Sequence, residues 1–104
     1  MDSSLKISFH NLPHSDAVEA EIRERVQKLE NVYAHIVGCR VVVEAPSKNA
    51  AGAAAFAVNI EIGVPGSPIV VKSEPAADLH AALTHAFDVA KRRLKTFAER
   101  RRGT

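Results

Sequence analysis

The stretch from Ala76 to Arg102 constrains the fold most, because a helix of this length depends on what it packs against. Leu79, Leu83, Ala86, Ala90, Leu94 and Phe97 recur at spacings of three and four, and Ala82 and Phe87 widen the stripe. Apolar residues at that period form one side of a helix. From Lys91 to Arg102 there are seven Lys or Arg residues and one acid, Glu99. The predicted helix therefore lies on a core with its apolar side and shows cations elsewhere. The rest of the chain has to supply the surface beneath it.

That surface reads as a sheet with a second helix. Leu5, Ile7 and Phe9 alternate with Lys6, Ser8 and His10, the period of a half-buried strand. After the loop Asn11–Ser15, either Ser15 or Asp16 can cap a helix, with Glu19 three residues beyond Asp16. Val18, Ile22, Val26, Leu29 and Tyr33 then predict a helix over about 16–33. Ile36–Ala45 is rich in Val and reads as a strand with Val37, Cys39, Val41 and Val43 on one face. Ala53–Val64 predicts a third strand, with Phe56, Val58, Ile60 and Ile62 pointing one way. Its alanine-rich start, Ala50–Ala55, is weakly β-forming. Pro65-Gly66-Ser67-Pro68 is a hairpin turn, and Pro68–Glu74 a short fourth strand. Pro75 favours a helix start immediately after it.

Short links between the last three strands imply an antiparallel meander. The first helix is a crossover long enough to make strand one parallel to strand two, with right-handed sense. The expectation is an α+β two-layer sandwich, β-α-β-β-β-α. Its four-stranded mixed sheet has order 1-2-3-4 and both helices on one face. A length of 104 residues suits one domain, 1–104, with a core of about 5–101. The other sheet face is left open, carrying Lys6, His10, Arg40, Asn59, Glu61 and Lys72, whose opposite charges can pair across strands.

Several function classes find no support. No run of about 18 apolar residues predicts a membrane span, and Met1–Lys6 lacks the regions of a signal peptide. Cys39, the single cysteine, has no intrachain partner, which fits a cytoplasmic setting and a small buried hydrophobe. His10, His14, His35, His80 and His85 show no zinc-ligand spacing, so no metal or other cofactor is expected. There is no nucleophile elbow, no glycine-rich phosphate loop and no carboxylate pair in a plausible cleft. Catalysis on a small-molecule substrate is therefore not expected. An enzymatic alternative would have to use His80 or His85 near Asp78 or Asp88.

The charge distribution is more informative than the net charge of +2. Residues 1–34 carry four bases and six acids, residues 35–75 balance, and residues 76–104 carry seven bases and three acids. A localised cationic surface suggests a polyanion such as RNA. On the last helix Lys91, Lys95 and Arg102 fall along one flank of the stripe, Arg93 and Arg100 along the other, and Arg92 points outward. On the first helix Arg25 and Lys28 share a flank. If the helices lie side by side, one flank of each borders a common groove whose cations could meet phosphates. Glu21 and Glu24 lie near Arg25 and temper its charge. No aromatic residue alternates with the cations, so base stacking is not indicated and backbone recognition is favoured.

The strings Lys28-Leu-Glu-Asn-Val-Tyr-Ala-His-Ile36 and Asp78-Leu-His-Ala-Ala-Leu-Thr-His-Ala-Phe-Asp-Val-Ala-Lys-Arg-Arg-Leu94 resemble the two helix signatures of ribosome hibernation factors. The similarity runs from about Leu5 to Arg101. It implies a fold similar to double-stranded RNA-binding domains and a cytoplasmic role in stress response or stationary phase. It also implies binding to ribosomal RNA in the messenger and transfer RNA channel of the small subunit, with translation blocked by occupancy. The family's basic positions match at Arg25, Lys28 and Arg92, while Lys91, Arg93 and Lys95 are cations nearby. Glu19, Val89 and His80 depart from residues common among relatives. Longer relatives add a C-terminal dimerisation domain; this chain ends at Thr104 and lacks it, so pairing of ribosomes by that route is not expected. A monomer or weak homodimer is expected. The alternative is a non-ribosomal module of the same fold that homodimerises through the open sheet face or an edge.

Overall fold

A computed structural model describes residues 4–45 and 55–102, Arg102 by its backbone alone. Six elements follow in the order β1 (Leu5–His10), α1 (Asp16–Val32), β2 (Gly38–Glu44), β3 (Ala57–Gly63), β4 (Ile69–Lys72) and α2 (Leu79–Arg102). The sheet order is β1-β2-β3-β4. β1 pairs with β2 in parallel, Ile7 opposite Val41, and the remaining pairs are antiparallel. This is the mixed sheet that the crossover and the two short links predict.

Alternation decides which face is covered. Cys39, Val41 and Val43 of β2, Val58, Ile60 and Ile62 of β3, and Val71 of β4 are buried in one cluster. Ile22, Val26 and Leu29 of α1 and Leu83, Ala86, Phe87, Ala90 and Leu94 of α2 complete it. Both helices therefore lie on the same side of the sheet, and α2 packs over β3 and β4. Small Ala86 and Ala90, both fully buried, let the α2 backbone come close to the strands.

Local chemistry sets the boundaries. Ser15 is the N-cap of α1: its hydroxyl accepts from the Val18 N–H at 3.3 Å. Tyr33 closes the helix as C-cap, its N–H donating to the Leu29 carbonyl. Asn11 turns the chain out of β1 at φ 62°, a conformation Asn tolerates. Gly66 adopts φ 98° in the β3–β4 turn, which a side chain would strain.

Four expectations are corrected. α2 begins at Leu79 and not Ala76, because Ala76 exchanges backbone hydrogen bonds of 2.7 and 2.8 Å with Phe56. Asp78 serves the helix start in its place, accepting from the His80 N–H at 3.1 Å. Phe56 thus lies outside β3 and is half-buried. Val37 does not join the buried face of β2: it precedes the strand and is 69% exposed, its N–H donating to the Gly63 carbonyl. On the open face Arg40 and Glu61 stand in register, yet no ion pair joins them; the cross-strand polar contact there is Asn59 Nδ2 to Glu44 Oε1 at 3.2 Å. The loop Pro46–Gly52 and the alanine-rich lead into β3 fall outside the described residues.

Two outcomes test this core. Leu94 is fully buried, so Leu94→Ala should cost about 2–5 kcal/mol in urea unfolding. Burial pushes the Cys39 thiol up to about 11, and Glu30 adds to the effect. The unfolded chain then loses this proton first as pH rises, so the thiol's contribution to stability is intact below about pH 9 and disappears towards about pH 11. Cys39→Ala should flatten the fall of unfolding free energy over that interval relative to wild type.

Candidate nucleic-acid interface

α1 and α2 run side by side in the same direction, as three contacts along them show. Glu21 Oε2 lies 3.2 Å from His80 Nδ1, Arg25 Nη2 donates to Thr84 Oγ1 at 3.1 Å, and the Tyr33 and Phe97 ring centroids are 5.5 Å apart. Residue numbers rise together on both helices. The flank of α2 that carries Thr84 therefore borders α1, and helical spacing puts Asp88, Lys91 and Lys95 on that flank.

Arg25 is the most constrained cation. Its Nε and Nη2 donate to Glu21 Oε2 at 3.0 and 2.8 Å, and its side chain is 22% exposed. With the Thr84 bond it ties the two helices together, its charge largely met by Glu21. Arg23 reaches Glu19 on α1 only at 3.8 Å. Lys28 lies three residues after Arg25 and seven after Glu21, so it shares their flank, and it is exposed.

The cations of α2 separate. Lys91, Arg92 and Lys95 line a trough of about 470 Å³ with His85 and Asp88. Arg92 stands on the ridge and also borders a second trough with Arg93, Thr96, Phe97 and Arg100. Arg93 faces the opposite side from α1: its Nη1 donates to the Val70 carbonyl of β4 at 2.6 Å. Of the six expected contact residues, Lys91, Arg92 and Lys95 share one trough on α2, and Lys28 is exposed on the α1 flank that carries Arg25. None of these four has an ion-pair partner among the described residues. Arg25 is at the groove but engaged, and Arg93 is at the sheet edge.

Sequence reasoning missed Thr84 and the bridging position of Glu21. A threonine seven residues before Lys91 gives no signal until its flank is known to meet α1. The four groups form no single cleft: the His80 ring faces Glu21, Asp78 caps α2, and His85 shares an open trough with Asp88, Lys91, Arg92 and Lys95. Among the described residues no three His, Cys, Asp or Glu side chains gather as metal ligands, and no helix is long and apolar enough to cross a membrane. An open trough of exposed cations suits phosphate groups, which need charge and donors but no enclosure.

Comparison with known proteins agrees on the architecture. The N-terminal domain of Thermus thermophilus Protein Y superposes with a TM-score of 0.73 at 25% identity, over 88% of this chain and 94% of that one. A ribosomal subunit interface protein from Coxiella burnetii gives a TM-score of 0.77 over 91% of this chain and 97% of its own; at 10% identity the likeness is one of fold. No curated protein matches the sequence. Residues 5–102 match the family described as sigma 54 modulation protein / S30EA ribosomal protein, and the chain belongs to this family, that of the hibernation factors.

Proposed function

We propose that this chain inhibits translation by occupying the messenger and transfer RNA channel of the small ribosomal subunit in the cytoplasm. Lys28, Lys91, Arg92 and Lys95 meet ribosomal RNA phosphates, and no bond is made or broken. Residues 1–104 act as one unit. The observation that carries this reading is the contrast in charge pairing across the groove. The cations on its rim lack carboxylate partners among the described residues, whereas Arg25 within it is held by Glu21. Cations without intramolecular partners retain their full attraction for an external polyanion. Arg25 contributes by fixing the spacing of the helices, and Arg93 lies at the margin of the contact. The family assignment and the names of the two structural relatives support a ribosomal partner. A homodimer through the β4 edge is the less favoured reading: Val70 is 42% exposed there, but its carbonyl is already taken by Arg93.

Reversing charge at Lys91, Arg92 and Lys95 together to Glu should abolish co-sedimentation with purified ribosomes while the circular dichroism spectrum stays that of wild type. Unchanged co-sedimentation would refute the groove. Wild-type binding should weaken with salt, log K against log salt having a slope of about −3 if four phosphates are neutralised. Glu21→Gln should act the other way on binding. It removes a carboxylate from the groove, so retention on immobilised heparin should increase, while the lost tie to Arg25 lowers unfolding free energy by up to about 1 kcal/mol.

A further inference from the structure

The C-terminal ends of the two helices close around a feature that the cationic groove does not use. Tyr33 and His35 meet edge to face at 5.5 Å, Tyr33 meets Phe97 in the same way, and the Arg101 guanidinium lies 5.7 Å from the Phe97 ring centre. Beside this aromatic corner opens a recess of about 790 Å³ whose walls include Tyr33, His35, Val37, Pro65, Ala98 and Arg101. Val37, at 69% the most exposed large hydrophobic side chain described, stands on it. An apolar side chain left in water at the mouth of a concave surface is a mark of a binding site.

The chemistry of the walls selects the occupant. They offer ring faces, apolar contact and one guanidinium, and no described residue lining the recess is acidic. The recess also continues the cationic surface. Lys95, Ala98 and Arg101 follow one another at intervals of three on α2, and Lys95 to Arg101 spans roughly 9 Å along the helix axis. A strand whose phosphates lie on Lys91 and Lys95 is thereby led to the recess. We propose that this recess takes an unpaired nucleobase from the RNA bound along α2, stacked on the exposed His35 ring with Arg101 on the recess wall. The proposal rests on the RNA-binding reading above and adds to it a preference for RNA with a base outside the duplex. A base flat on one ring lies steeply inclined to the other, since the Tyr33 and His35 planes stand at 70°. Stacking on an aromatic side chain tolerates any base identity, so the preference is for an unpaired nucleotide and not for a sequence.

The test uses two RNA hairpins with the same stem, one carrying a single bulged 2-aminopurine. Wild-type protein should bind the bulged hairpin roughly ten-fold or more tightly than the unbroken one, and should quench the 2-aminopurine fluorescence. His35→Ala and Val37→Asn, both at exposed positions, should abolish the preference and the quench while leaving affinity for the unbroken hairpin and its salt dependence unchanged. Equal binding of the two hairpins by wild type would overturn the recess and leave the groove standing. A preference that survives both variants would also overturn it, because the base would then sit elsewhere. Failure to bind either RNA would remove the groove and the recess together.

Discussion

One apolar sheet face has to be hidden from water, and two helices of unequal length hide it. The interlocking of Ile22, Val26 and Leu29 with Val41, Val43, Ile60 and Leu94 fixes both helices against the strands, and everything on the outer surface inherits its position from that contact. α2 has 24 residues and a length of roughly 36 Å, whereas the seven residues of β3 extend roughly 23 Å. The helix therefore overhangs the sheet. Ala98 is still buried, and past it α2 carries Arg100, Arg101 and Arg102. The extra length gives the aromatic recess its Arg101 wall, whereas Lys91, Arg92 and Lys95 stand on the part of α2 that still packs on the core through Leu94.

The two helices treat charge differently. α1 satisfies its arginines internally, Arg25 through Glu21 and Arg23 weakly through Glu19. α2 sends Arg93 to a backbone carbonyl and leaves Lys91, Arg92 and Lys95 to solvent. A surface built in this way has a rigid seam beside a row of mobile, hydrated cations. The seam holds the groove width, and the row can adjust to an irregular phosphate backbone without disturbing the core.

Much of the fold was legible because period and capping agreed at each element. Alternation in Ile7–Phe9 and Cys39–Val43 marked the buried face, the three–four spacing marked both helices, and Ser15-Asp16 marked the first helix start, with Ser15 the cap of the two. What escaped depended on contacts distant in sequence. Ala76 looks like the first turn of a helix until Phe56 takes its backbone. Val37 looks like the first inward residue of β2 until the Gly63 carbonyl fixes its N–H outside the strand. At the candidate interface the helical wheel put Lys91 and Lys95 on one flank and Arg93 on the other, as found. It could not show which flank meets α1, that Arg25 bonds Thr84, or that Tyr33, His35 and Phe97 converge at one corner.

The bond from Arg93 to Val70 has a consequence for the behaviour of many copies in one solution. A terminal strand with bare carbonyls is a template on which other chains can polymerise. β4 is four residues long, ends in Lys72, and has the outward oxygen of its second residue occupied by a side chain of its own helix. Such a border offers an incoming strand little to register on. At this border, crowded molecules of the protein are thus discouraged from joining strand to strand by the same helix that bears their charge.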